Sequence, residues 1–290
     1  MILESLLMVT VLAVDLELTA TAYSDYLGYE VLQAGVIPKA CAEQMGDPSL
    51  AGRGYMNMSH PKSEREVILR FVEGASVSYK AMLSPGWSAF ELLAQNPDSL
   101  RAQMSTGPFR VVGEPAYLTA AEKIYAMQAL GPSGELLYLT HMLDPASSLL
   151  KPVAPKSAIG DTFIMVAGSP DLSATRLFLE KTFENFVTNP IPFKIDVLSK
   201  ARGDSSGTLY PIIMVKFSGP FGFEFDQYGK ELDREGIDGG IVLVSASVDD
   251  FTNIGTSWER NPVDSSCPGI EGKSSLVRFP SGALLEVVSH

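Results

Sequence analysis

One short phrase occurs twice in the chain and limits what it can fold into: Pro132-Ser133-Gly134-Glu135-Leu136-Leu137-Tyr138 and Pro280-Ser281-Gly282-Ala283-Leu284-Leu285-Glu286. In each copy a Pro-Ser-Gly turn runs into an apolar strand, as in a hairpin whose tight turn needs residues tolerant of unusual backbone angles. Each copy closes one half of a duplicated chain. The copies differ after Leu-Leu, where Tyr138 stands in the first and Glu286 in the second, and this asymmetry points to the working site.

A chain of 290 residues divides, on the usual prior of roughly 100 to 200 residues per domain, into about two. The duplicated phrase gives the same division, with an N-terminal domain over 1–150 and a C-terminal domain over 156–290. Hydrophobic residues at 46% and charged residues at 19% suit a sizeable core and argue against disorder. A net charge of -12 disfavours a phosphate-tracking surface, which depends on clustered cations, so no nucleic acid partner is expected. Cys41 and Cys267 lie in different halves with no second cysteine nearby. They support neither paired-cysteine metal chemistry nor a disulfide framework and are expected as free thiols in a reducing cytoplasm. The apolar N-terminus carries Glu4 and no basic segment, so it reads as a first strand and not a signal peptide. No run of about 18 apolar residues is present, and no membrane association is expected.

In chain order, Val9 to Val14 reads as a strand. Asp15-Leu16 then opens a helix that carries Ala22, Tyr23, Tyr26 and Leu27 and stops at Gly28. Strands follow at Tyr29–Leu32, Gly54–Met58 and Glu66–Val72. A second module runs from the strand Gly86–Leu93 through a helix seeded at Asn96-Pro97-Asp98 to strands at Lys123–Ala129 and Glu135–Thr140. Asp144 to Gly160, rich in Pro and Ser, reads as the connector. A third module has a strand at Phe163–Ala167, a helix from Asp171, and strands at Phe193–Val197, Leu209–Phe217 and Gly222–Tyr228. The fourth has a strand at Gly240–Val248, a helix from Asp249-Asp250 and a hairpin over Ser275–Val288. The fold class is α+β, with four βαβββ modules in tandem.

This pattern resembles the vicinal oxygen chelate superfamily, which includes glyoxalase I, extradiol dioxygenases and bleomycin resistance proteins. The resemblance rests on Asp15-Leu16 with the helix ending Tyr26-Leu27-Gly28-Tyr29, on the Pro-Ser-Gly hairpins and on the order of all four modules. It implies that paired modules curl into two half-barrel domains. It also implies a divalent metal held by His or Gln on the first strand, Glu on the fourth, His on the fifth and Glu on the last, with a face open to a substrate that presents two oxygens. The first-half counterparts are Met8, Arg70, Trp87 and Tyr138, which make no hard-metal site. In the second half they are Asp161 or Thr162, Glu224, Gly240 and Glu286. Two carboxylates remain and both histidine positions are gone. The expectation is therefore no metal cofactor, with Asp161, Glu224 and Glu286 as the alternative set for a hard divalent ion.

Alternation places Glu224, Asp226 and Tyr228 on one strand face and Phe223 and Phe225 on the other. If the phenylalanines face the helices, Glu224 looks into the cup and Glu286 sits across it. Desolvation would then raise at least one pKa and suit it to proton transfer. With the opposite phase, both acids are solvated. Arg70 could hold a substrate carboxylate or pair with Glu66 or Glu91 on a sheet face. Tyr138, Tyr228, Asp161 and Phe163 are candidate substrate contacts. Trp87 either plugs the first half or forms an aromatic wall. His141 is the one histidine at a strand end suited to acid or base work, set against a turn-capping role; His60 and His290 are expected in solvent. The acidic run Asp226, Glu231, Asp233, Glu235 and Asp238 reads as a solvated loop. No dinucleotide, phosphate-loop or nucleophile-elbow motif occurs.

The functional expectation is proton-transfer, isomerase or lyase chemistry on a small aromatic or carbonyl compound in the C-terminal cup, with Glu224 and Glu286 as base and acid. The alternative is sequestration of a small hydrophobic ligand without catalysis. A homodimer is compatible with the resemblance.

Overall fold

The computed structural model describes the chain except for residues 64, 76–79, 120, 229–238, 252–257 and 290. Glu231, Asp233, Glu235, Asp238, His290 and the helix expected after Asp249-Asp250 lie outside the described residues.

The first module comprises β1 (Leu3–Ala13), α1 (Leu16–Leu27), β2 (Glu30–Val36), α2 (Lys39–Gln44), β3 (Gly54–Ser59) and β4 (Ile68–Glu73). The second comprises β5 (Gly86–Ala94), α3 (Pro97–Met104), β6 (Arg110–Tyr117), β7 (Ile124–Leu130) and β8 (Leu136–Met142). The third runs through β9 (Ile159–Ser169), α4 (Leu172–Thr182), β10 (Phe186–Val187), β11 (Ile191–Lys194), α5 (Asp196–Arg202), β12 (Leu209–Lys216) and β13 (Gly222–Gln227). The fourth holds β14 (Gly240–Val248), β15 (Trp258–Asp264), β16 (Lys273–Arg278) and β17 (Leu284–Ser289).

The helices begin where side chains satisfy their free amides. The Asp15 carboxylate accepts from the Leu18 amide at 2.9 Å, Asn96 from Ser99 at 3.0 Å and Asp171 from Ala174 at 3.0 Å. Gly28 ends α1 in the left-handed conformation, φ 74°. The repeated phrase makes two matching hairpin turns. In one, the Gly131 amide bonds the Glu135 carbonyl at 2.8 Å; in the other, Phe279 bonds Ala283 at 2.9 Å. Gly134 and Gly282 both sit at φ 84°, a conformation that explains the glycine in each copy.

The strands form two sheets, in the orders β15-β16-β17-β14-β1-β4-β3-β2 and β10-β12-β13-β9-β5-β8-β7-β6. The first, sheet A, joins modules one and four through β1 and β14, which run antiparallel. The second, sheet B, joins modules two and three through β5 and β9, also antiparallel. The expected pairing within each half is therefore corrected. The 1–150 and 156–290 division marks the duplication, and each sheet takes one module from each side of it. All four leading strands are long and almost wholly buried, so their apolar character does not specify which two meet.

Between the sheets, Trp87 packs on Phe223 and Phe279 with ring centroids 5.0 and 5.9 Å apart. Phe225 lies 5.3 Å from Phe279. These aromatic contacts bind the outer face of β13 to the hairpin of sheet A. The Ser133 hydroxyl adds a polar tie, accepting from the Val14 amide at 2.9 Å.

The cysteines are not free thiols: Cys41, on α2, and Cys267, between β15 and β16, form a disulfide. They lie 226 positions apart in sequence, and only the meeting of modules one and four brings them together. No helix among the described residues is long and apolar enough to cross a membrane.

Candidate functional site

Sheet B holds a cavity of about 510 Å³ with Glu91, Tyr138 and Glu224 on its wall. The strand register brings them there. Glu91 on β5 is the partner of Tyr138 on β8 and of Ile164 on β9, while Glu224 on β13 partners Val166 on β9. Most of the surrounding surface is apolar, with Phe163, Ile164 and Ile212 from the sheet and Val197 from α5. Phe223 and Phe225 face away, so the phase read from the alternating Gly222–Tyr228 stretch is the one that puts Glu224 inward.

Burial sets the chemistry. Removal from water disfavours the charged form of a carboxyl, and neighbouring carboxyls add to the effect. Glu91 is pushed up to about 8, first by burial and then by Glu224, while the Thr140 hydroxyl, donating to its Oε1 at 2.5 Å, acts the other way. Glu224 hydrogen-bonds to Asp226 on the same strand face and is raised well above the carboxylate range by burial and by that neighbour. Asp226 is pushed up to about 7 by burial, with Glu91 contributing and the bond to Glu224 opposing. The Tyr138 phenol is also raised by burial, then by Asp226, Glu224 and Glu91. Two carboxyls buried side by side resist losing both protons, so the ionisation of Glu224 and that of Asp226 depend on each other.

The other expected residues lie elsewhere. Glu286 is on β17 in sheet A, fully buried, and accepts from the Ser245 hydroxyl at 2.7 Å. It is not across the cup from Glu224, because modules three and four belong to different sheets. Arg70 is in the same cup as Glu286; its Nε donates to Asn57 at 3.2 Å, and neither Glu66 nor Glu91 pairs with it. Asp161 accepts from the Ser63 hydroxyl, near the β3–β4 connection. Tyr228, just past the end of β13 and not on the cavity wall, has the Arg202 guanidinium 5.3 Å from its ring centre and lies over the bare Gly168 backbone. Trp87 donates to the Leu284 carbonyl at 2.6 Å and belongs to the packing between the sheets, not to an aromatic wall of this cavity. His141 sits with Nδ1 3.1 Å from the Ala94 carbonyl, tying the ends of β8 and β5 together outside the cavity.

The donors present bear on the divalent metal that the resemblance implies. Asp161, Glu224 and Glu286 occupy three separate places, so they form no ligand set. No group of three His, Cys, Asp or Glu side chains among the described residues is arranged to hold an ion. In sheet B the acids are engaged with Thr140 and with each other, and in sheet A a guanidinium stands at a ligand position. These residues do not fit a resident divalent metal, and no step is routed through one.

Sequence reasoning placed Trp87 at the position that Glu91 fills. The available signal was a single carboxylate inside the otherwise apolar and wholly buried stretch Gly86–Ala94. It also missed α5, the helix that covers one side of the cavity, and the edge strands β6 and β15.

The chain has the fold of the vicinal oxygen chelate superfamily, in its tandem four-module form. Glyoxalase I from Zea mays matches over 98% of this chain and 92% of its own, with a TM-score of 0.64 and 14% identity. A candidate dioxygenase from Bacillus subtilis matches over 99% of this chain and 85% of its own, with a TM-score of 0.67 and 10% identity. No family model matches the sequence, and no curated protein sequence is similar to it.

Proposed function

We propose that the cup of sheet B binds a small, largely apolar aromatic or carbonyl compound and moves a proton on it, as an isomerase or lyase would. The Glu224–Asp226 pair, carrying one proton between two carboxyls, is the base; Glu91, neutral at physiological pH, is the acid, with Tyr138 beside it as a second donor. A proton removed next to the carbonyl leaves an enolate oxygen, and Glu91 or Tyr138 supplies a hydrogen bond to it in a site that excludes water. The observation that carries the reading is two buried carboxyl groups with raised pKa values, Glu91 and Glu224, on the wall of one apolar cavity, with the buried Asp226 hydrogen-bonded to Glu224. The acid once expected from Glu286 is thereby reassigned to Glu91.

The test is hydrogen exchange in heavy water, with a panel of aryl and alkyl ketones followed by proton NMR. Accelerated loss of the proton adjacent to the carbonyl, abolished in Glu224→Gln while ligand binding is retained, supports the proposal. The apolar walls also suit a sequestering protein. Tight binding of panel compounds with no exchange above the buffer rate would establish that reading instead.

A further inference from the structure

The second cup has a different chemistry. Across sheet A, Asn57, Arg70 and Thr10 form one row of register partners, and Met8, Ser245 and Glu286 form the next. Arg70 and Glu286 are both fully buried. Among the described residues, Arg70 Nη1 and Glu286 Oε1 have no partner, and Arg260 on β15 brings Nε and Nη1, also buried and unpartnered. Glu286 acts electrostatically on both guanidiniums, yet among the described residues of the cup one carboxylate stands against two cations. Buried donors without acceptors are costly, so an arrangement with three of them beside one excess positive charge is matched to an oxyanion.

One oxygen already occupies the place such a ligand would take. The segment between β15 and β16 folds over the cup, and its Pro268 carbonyl accepts from Arg70 Nη2 and, at 3.4 Å, from Asn57 Nδ2. Gly269 lies so close that a Cβ there would come within 3.0 Å of Asn57 and 3.2 Å of Met8. Two fastenings hold the segment. Gln44 accepts from the Ser266 amide at 2.8 Å and donates to the Asp264 carbonyl at 2.9 Å, and the Cys41–Cys267 disulfide crosses beside it.

We propose that the cup of sheet A is an anion-binding site for a small carboxylate carrying a neighbouring hydrogen-bond donor, closed by the 265–272 segment and latched by the Cys41–Cys267 disulfide. The ligand carboxylate takes the free N–H groups of Arg70 and Arg260, displacing the Pro268 carbonyl. Its adjacent hydroxyl or ammonium donates to Glu286 Oε1. Opening is a two-electron reduction by a dithiol: the S–S bond breaks, two thiols form, and the dithiol leaves as its own disulfide. The site is independent of the proton chemistry in sheet B.

The experiment is calorimetric titration of the whole chain with glycolate, and with acetate as the probe that lacks the donor. It is run on the oxidised protein, on the dithiol-reduced protein and on Cys267→Ala, with folding checked by circular dichroism. Glycolate should bind the reduced protein and Cys267→Ala at least about tenfold more tightly than the oxidised protein, and acetate about tenfold more weakly than glycolate. Arg260→Gln, at the edge of the cup, should remove binding from the reduced protein. Equal affinity in both redox states, no binding after reduction, binding retained in Arg260→Gln, or loss of the whole fold on reduction would each overturn the proposal.

Discussion

Glu91 and Tyr138 are register partners on adjacent parallel strands, so a carboxyl and a phenol meet on the wall of one cavity although they come from opposite ends of a module. Both protons are held by burial. Glu91→Gln keeps the shape and a hydrogen-bond donor but removes the transferable proton. It should lower kcat/KM for the proton-transfer reaction by about 10²- to 10⁴-fold while leaving ligand affinity within about threefold. Unchanged turnover in this variant would remove Glu91 from the reaction.

The pH profile follows from the same groups. The base must have lost a proton that Asp226 releases at about 7, and the acid must keep one that Glu91 releases at about 8. A narrow bell in kcat/KM is expected, rising through the first value and falling through the second, and steady-state rates across the range will show it. In Glu91→Gln the alkaline limb should disappear.

Stability should depend on pH in the opposite sense from an ordinary salt-bridged protein. Glu91, Asp226 and Glu135 are pushed up to about 8, 7 and 7, mainly by burial, above the values they would have unfolded. Between the unfolded and folded values the native chain holds protons that the unfolded chain has released. Their contribution is therefore complete at low pH and is lost as pH rises through the folded values. Denaturant midpoints should be higher at about pH 5.5 than at about pH 8.5, and the reverse order would contradict the burial of these acids.

Glu135 anchors the first hairpin to α1, its Oε1 accepting from the Tyr23 hydroxyl at 2.9 Å and its Oε2 from the Ser133 amide at 2.9 Å. Tyr23→Phe leaves one buried oxygen short of a donor and should cost about 1 to 3 kcal/mol in equilibrium unfolding. A double-mutant cycle with Glu135→Gln should show coupling between the two sites.

Gly134→Ala and Gly282→Ala each force a methyl group onto a backbone at φ 84°. Each should destabilise by about 1 to 2 kcal/mol, and, because the turns match, by similar amounts. A neutral substitution at either position would show that its turn relaxes.

Local features were readable in the sequence because they depend on neighbours a few residues away. Asp15, Asn96 and Asp171 cap the helices they were expected to open, and both Pro-Ser-Gly turns form. The alternation of Phe223, Glu224 and Phe225 put Glu224 and the phenylalanines on opposite faces but left open which face looks into the cup. No alternation exists in β5, buried along its whole length, so the phase that turns Glu91 inward could not be taken from it. Longer-range choices were not readable. Glu224 and Glu286 are separated by the pairing of β1 with β14 and of β5 with β9, and nothing within any one strand encodes that choice. The disulfide was hidden for the same reason, since its two cysteines meet only through that pairing.

The joining of the first module to the last has a consequence for how the molecule is made. On a ribosome, the inner two modules emerge consecutively and can zip together while translation continues, whereas β1 must wait for β14 to leave the exit tunnel before it has a neighbour on that side. Sheet A is thus completed only after every module between β1 and β14 has been made, and a chain terminated before β14 would carry β1 with that edge bare.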